Sequence, residues 1–401
     1  MLSPSISRRS LLAASAAVVR PLLGAGRGTR ISAREIEFED SLTGRKISRL
    51  TNKDVVSHLP VYYNRVLARR GNFLLIASEV SGARQFYRCD LSRDRMTQLT
   101  EGPGIHPYSA TLAPRDRAFF YLQGSELRQA SSRGGGDSLV YRCEEGWVPT
   151  GDLNLSTDGR YATLIEMRED DWVADEEELF WKKPHCRLRV TGTERGSASW
   201  VAVEEKLWLS HPRFRPGRTD ILYDHEGPWG EVDGRLRLTS LRGERKKELT
   251  PRKGDEQVGH AYWAADGREA FYVSFPGSSL RGSTVAAVSP DSGESRTVSK
   301  CSGFGWMTGN PDGSAIVGAS RRPSGPNIYV LFVKLQREIT LCEHASSGKA
   351  YPIAGTDRLD ARAANPEPIL SENSQWVYFT SDREGKPAIY RMNVEDLVEQ
   401  T

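Results

Sequence analysis

The stretch ILYDHEGPWGEVDGR, residues 221–235, sets His225 between two carboxylates, follows it with Gly227 and Pro228, and adds Trp229 and further acidic residues before Arg235. Imidazole is the side chain whose ordinary pKa lets it exchange a proton near neutrality, so these are residue types that acid–base chemistry uses. The same letters also suit a decorated hairpin turn, with Gly and Pro present for backbone geometry alone. What separates the two is whether partners from elsewhere in the chain reach the same place. Candidates stand in WLSHPRF (His211), GHAYWAADG (His260), ITLCEHASS (His344) and ANPEPILS (Asn365 and Glu367). Any one histidine at a strand end reads first as a neutral packing donor; convergence is the test.

The elements that must position these residues are short strands. The 401 residues include 37 Gly, 21 Pro, 9 Trp and 14 Tyr, a mixture of tight turns and aromatic strands that implies a mostly β chain. A phrase recurs along it: an Asp-Gly-Arg-type turn followed by an apolar strand. It appears as STDGRYATLIE (156–166), AADGREAFYVS (264–274) and NPDGSAIVGAS (310–320), and in worn form as APRDRAFFYLQ (113–123), RPGRTDILYDH (215–225) and SENSQWVYFTS (371–381). A spacing of roughly 40 to 60 residues is that of β-propeller blades with loop insertions. The expected fold is all-β, a seven-bladed propeller of four-stranded antiparallel blades. The last blade, WVYFTSDREGKPAIYRMNV (376–394), runs out of chain before its outermost strand, and GRKISRLT (44–51) is expected to supply it and close the ring.

In such a blade, with strands A to D numbered from the axis outward, the start of A, the end of B, the start of C and the end of D share one face. His225 then ends strand B of blade four, His211 and His260 open strand A of blades four and five, His344 ends strand D of blade six, and Asn365 and Glu367 open strand A of blade seven. All are expected on one funnel. The acidic run ADEEELFWKK (174–183) reads as a solvated insertion between strands B and C of blade three rather than a metal site.

The opening MLSPSISRRSLLAASAAVVRPLLGAGRG (1–28) has Arg8 and Arg9 ahead of an apolar run from Leu11 to Val19. That run is far shorter than the roughly 20 residues of a membrane span. It resembles a twin-arginine export signal, which implies a periplasmic or secreted protein and leaves 29–401 as one propeller domain. Without the four arginines of that segment the formal charge falls from +3 to −1, so no nucleic-acid footprint remains. Cys89, Cys143, Cys186, Cys301 and Cys342 show no C-x-x-C spacing, which argues for buried thiols over a zinc site or disulfide framework.

The phrases HEGPWGEVDGR, HAYWAADG, LCEHASS and FTSDREGKPAIYRMNV, with LTGRKISRLT and RMTQLTEGPG, resemble the oligogalacturonate lyases of polysaccharide lyase family 22 over residues 38 to 396. The resemblance implies cleavage of short uronate oligosaccharides by β-elimination, which needs a base for the C5 proton and a cation to absorb charge at the neighbouring carboxylate. It further implies His225 as that base and a manganese ion held by several His and a Gln. His260 matches one ligand. The last-blade ligands of the family read Gln-x-x-His-Pro-His-Pro, and here the same place reads Arg362-Ala-Ala-Asn365-Pro-Glu367-Pro. Asn365 and Glu367 can ligate Mn²⁺ or Ca²⁺ through oxygen, while Arg362 can only pair with a carboxylate.

Two readings follow. In the first the chain is an exported lyase, with His225 as base, Arg235 and Arg362 orienting or neutralising the uronate carboxylate, His260, Asn365 and Glu367 holding any metal, and His211 and His344 contacting sugar hydroxyls. The altered ligand set also opens glucuronate- and rhamnogalacturonate-type saccharides as substrates. In the second the propeller has lost catalysis and serves as a sugar- or protein-binding scaffold, including a TolB-like envelope role.

Overall fold

A computed structural model describes residues 26–398 except 174, 175, 233, 252, 278–281, 321–324, 355 and 357. The export motif at Arg8 and Arg9 lies outside the described residues. Seven antiparallel sheets follow one another along the chain as blades, joined by an extra two-stranded pairing of Tyr351–Pro352 with Leu359–Asp360. Each recurring phrase of the sequence is a turn between the first and second strands of a blade plus the second strand itself, as in Tyr161–Arg168, Ile221–Glu226, Ala270–Phe275 and Trp376–Ser381.

The ring closes as the sequence implies: Lys46–Arg49 pairs with the last long strand, Ala388–Asn393. The N-terminal residues go further than the four-strand expectation. Ile36–Glu39 adds a fifth strand to blade seven outside Lys46–Arg49, and Arg30–Ser32 adds a fifth to blade one against Arg95–Gln98. One segment thus staples the first and last blades, covering two sheet edges that would otherwise stay open.

The second strands are the most deeply buried elements; every residue of FLLIAS (Phe73–Ser78) and AIVGAS (Ala315–Ser320) is buried. Their side chains alternate between the two faces of a blade, so each face packs on a neighbouring blade. Tyr223 joins a cluster with Leu188 and Val190 of blade three, and Leu222 joins Ala270 and Tyr272 of blade five. Four of the five cysteines are buried, and all five are free thiols. Among the described residues no helix is long and apolar enough to cross a membrane.

The axis is not an open channel. After the short inner strand of blade one, Ser57–His58, the chain passes through the centre as LPVYYNRV (59–66). There the Tyr62 amide donates to Glu367 Oε2 of blade seven (2.9 Å), Tyr62 Oη donates to the Ala261 carbonyl of blade five (3.3 Å), and Tyr63 Oη donates to Asp152 Oδ1 of blade three (3.0 Å). This plug makes the floor of a funnel.

Candidate active site

The inner strands of blades three to seven share one turn. In each, the backbone N–H of an anchor residue (Ser156, Arg215, Ala264, Asn310, Ser371) donates to the carbonyl five residues on, at 2.8 to 3.0 Å. Four residues before these anchors stand Asp152, His211, His260, Trp306 and Glu367, and all five line a single cavity of about 540 Å³ above the Tyr62 floor. Repetition of the blade therefore delivers one side chain per blade to the same space.

Three of these residues bend the backbone to get there. His211, His260 and Glu367 have φ of 48°, 54° and 42°, a region that costs a non-glycine residue of order 1–3 kcal/mol and tends to persist at functional sites. The strand ladders slip at the same points, between Ser210 and Arg213 and between Gly259 and Tyr262. A bulge of this kind re-aims a side chain that regular pleating would direct elsewhere.

His211 is held by its Nδ1 side. Nδ1 lies 2.8 Å from Ser210 Oγ, whose hydroxyl donates onward to Glu226 Oε1 (2.8 Å), and it faces Asp224 Oδ2 at 3.3 Å and Glu226 Oε1 at 3.5 Å. An acceptor-rich surrounding places the ring proton on Nδ1 and leaves the Nε2 lone pair for the cavity, where the ring is 28% exposed. Tyr63 packs edge-on against the imidazole at 5.6 Å between centroids. The trio His211, Asp224 and Glu226 is compact enough to suggest a cation site. Each carboxylate, however, already faces an arginine: Asp224 pairs with Arg213, and Glu226 with Arg235. Burial opposes ionisation of Asp224, but Arg213 and His211 outweigh it and hold the carboxyl below its ordinary range. The trio is built to orient an imidazole.

Arg235 and Arg362 both line the cavity. Arg235 rests its guanidinium 4.0 Å over the Trp229 ring and donates from Nη2 to the Gly227 carbonyl (3.3 Å). Gly227 has φ of 138°, and a Cβ there would press on Val232 at 3.0 Å, so the HEGP glycine sets the path of this loop. Arg362 lies 4.3 Å over the Tyr108 ring. Tyr108 in turn donates to Asp360 (2.8 Å), which also accepts from the Arg362 amide (2.9 Å) and pairs with Arg84. His260 packs against Phe275 and Trp306, and Asn365 and Glu367 complete that wall. Glu367 is buried, which raises its pKa although Arg362 and the Tyr62 amide pull the other way.

Two of the expected residues are elsewhere. His225 is not on the cavity wall; its Nε2 approaches Glu205 Oε2 of blade three at 2.9 Å, an ion-pair approach without the alignment of a full hydrogen bond. The reason is strand parity. Ile221–Glu226 runs through His225, so Asp224 and Glu226 face the cavity and His225 faces the blade-three interface with Tyr223. His225 therefore lies between blades, away from the cavity wall on which the base was expected. His344 is buried as well: its Nδ1 accepts from the Ser346 amide (3.1 Å) and its Nε2 faces the Ser320 carbonyl (3.2 Å). Burial lowers its pKa to about 4, so the imidazole is neutral near pH 7, and it lies off the cavity wall on which it was expected.

The structure adds residues that the sequence did not single out: Asp152, Trp306, Trp208 and Phe180 on the cavity wall, and Tyr62 and Tyr63 beneath it. Phe180 comes from the acidic insertion of blade three, whose helix Glu176–Trp181 brings this aromatic over the cavity. A count of four residues back from each Asp-Gly-type turn would have found Asp152 and Trp306. The plug carries no comparable signal.

Comparison with known proteins agrees with this architecture. A family model described as oligogalacturonate lyase matches residues 25–398. The oligogalacturonate lyase of Dickeya dadantii is 28% identical over 397 residues, covering 93% of this chain and all of that protein, and the oligogalacturonide lyase of Pectobacterium atrosepticum is 28% identical over 395. Among solved structures, an oligogalacturonate lyase in complex with manganese superposes with a TM-score of 0.87 at 29% identity, covering 94% of this chain and all of that one. The Vibrio parahaemolyticus oligogalacturonate lyase gives 0.84 at 28%, covering 93% and all. With matches that run the length of the ring and include the strands that carry the cavity, the chain belongs to the oligogalacturonate lyase family.

Proposed function

We propose that this chain cleaves oligogalacturonides by β-elimination with His211 as the base. The observation that carries this reading is the imidazole anchored on Nδ1 by Ser210, Asp224 and Glu226 in a cavity flanked by two arginines. Nε2 takes the proton from C5 of the uronate ring, the C5–H electron pair becomes the C4–C5 double bond, and the C4–O4 bond breaks with the electrons leaving on O4, which takes up a proton. Negative charge builds on the carboxylate attached to C5 as the proton departs, so a fixed cation there lowers the barrier. Arg362, stiffened by the Tyr108 face, would take that role, with Arg235 beside it on the Trp229 face and paired to Glu226.

The His260, Asn365 and Glu367 wall offers an imidazole nitrogen, an amide oxygen and a carboxylate on one side of the cavity, a donor set that fits Mn²⁺. When bound, a divalent cation would supply Lewis-acid polarisation of the uronate carboxylate. The chain's own residues retain the proton chemistry and the guanidinium contacts in either state. A non-catalytic scaffold is not favoured, since it has no need of a strained, carboxylate-oriented imidazole. Export by the Arg8-Arg9 segment belongs to the same proposal and is tested by fractionating cells that express the whole chain.

The enzymatic test is direct: incubation with di- and trigalacturonate, followed by ultraviolet absorbance of the conjugated 4,5-unsaturated product. Absence of signal with and without added Mn²⁺ would sink the reading.

A further inference from the structure

Another cavity, of about 730 Å³, is separate from the one around His211. It lies between blades one and two and is built from turns between first and second strands (69–72 and 114–117) and between third and fourth strands (Arg133), with Arg88 and Arg95 at its back. These turns all belong to the face opposite the ends of second strands, hence opposite His211.

Its lining is eight arginines and one carboxylate, with no lysine. Arg88 and Arg95 share the carboxylate of Asp90, and Asp116 pairs with Arg65. That leaves Arg30, Arg69, Arg70, Arg115, Arg117 and Arg133, all solvent-exposed, none in an ion pair with a described residue. Outside the opening segment 1–28 the chain is close to neutral, so this is a local accumulation of cations held together against their own repulsion. Arg69 and Pro114 also line a neighbouring cavity of about 300 Å³ at the Tyr62–Tyr63 plug, which adjoins the arginine-lined groove.

We propose that this groove is a second binding site for an extended polyuronate chain, distinct from the catalytic cavity. The inference rests on the lyase reading for the identity of its ligand. Guanidinium forks match carboxylates in a planar, two-point fashion that ammonium groups do not, and an anionic polysaccharide presents one carboxylate per sugar along its length. A single-stranded nucleic acid would need exposed aromatic faces for its bases. The one aromatic that lines the 730 Å³ arginine cavity, Phe73, is 3% exposed and capped by Arg88 at 4.0 Å.

The test uses the full chain in native gels cast with polygalacturonate. Retardation of the wild type is expected, with the apparent dissociation constant rising about tenfold or more in the double variant Arg70→Glu/Arg117→Glu and rising as salt is added. Turnover of trigalacturonate by that variant is expected to stay within about twofold of wild type, since neither residue touches the catalytic cavity. The milder pair Arg115→Gln/Arg133→Gln provides a second reading should the charge reversals impair folding. Equal retardation of wild type and both variants overturns the proposal, as does tighter binding of DNA than of polygalacturonate under the same conditions. Failure of the lyase reading shows separately, as a wild type that leaves trigalacturonate uncleaved.

Discussion

His211 Nδ1 lies 3.3 Å from Asp224 Oδ2, and these two residues sit on neighbouring strands of blade four at the point where the inner strand bulges. The relationship fixes which ring nitrogen carries the proton and which faces the cavity. Asp224→Asn replaces the acceptor with a group that can also donate, and so permits the wrong tautomer. The expected result is a fall in kcat of roughly 10²-fold with KM changed little. Steady-state kinetics on digalacturonate check it, since a loss of packing alone would not lower kcat at unchanged KM.

Arg362 and Arg235 differ from a simple positive wall in being stacked on Tyr108 and Trp229. Arg362→Lys keeps the charge and loses the planar fork. Its kcat/KM on digalacturonate is expected to drop about tenfold or more. Tyr108→Phe keeps the ring face and loses the hydrogen bond to Asp360, so the expected loss is smaller. Steady-state kinetics of the two variants side by side decide whether the fork or the charge matters.

Removal of metal should be partial in its effect. Chelation followed by metal analysis is expected to lower activity, and Mn²⁺ to restore it in the wild type. Glu367→Gln is expected to need a higher Mn²⁺ concentration for the same recovery, since it trades a carboxylate ligand for an amide. Activity indifferent to chelation in both proteins would assign charge neutralisation to the arginines alone.

Acid stability carries the signature of His344. Burial holds its pKa near 4 against an ordinary 6.5. The folded state therefore resists a proton that the unfolded chain accepts, so the stabilisation is complete above about pH 6.5 and is lost as pH falls towards 4. The size is about 3 kcal/mol at the lower end of that window. Urea unfolding of wild type and His344→Gln between pH 7 and 4 is expected to show a flatter dependence for the variant.

The ring, its closure and the face on which chemistry gathers could be read from the chain, because turn chemistry and strand period repeat in every blade. His260, Arg362, Asn365, Glu367, Arg235 and His211 all reach the cavity for that reason. The role of His225 could not be read so easily. One residue of strand length decides whether Asp-His-Glu presents its imidazole or its two carboxylates, and the HEGP glycine invites an early end to a strand that runs on to Glu226. His344 failed through burial, which a local phrase does not express. The Tyr62-Tyr63 plug failed through distance: its partners lie 89 to 305 residues away along the chain.

The assignment of the base is tested most directly by His211→Ala and His225→Ala, assayed on trigalacturonate together with thermal unfolding. The expected result is a loss of at least about 10²-fold in kcat for His211→Ala with a folded protein, against near-normal turnover and a lowered melting temperature for His225→Ala. A folded His211→Ala that keeps its turnover while a folded His225→Ala loses it would contradict the mechanism.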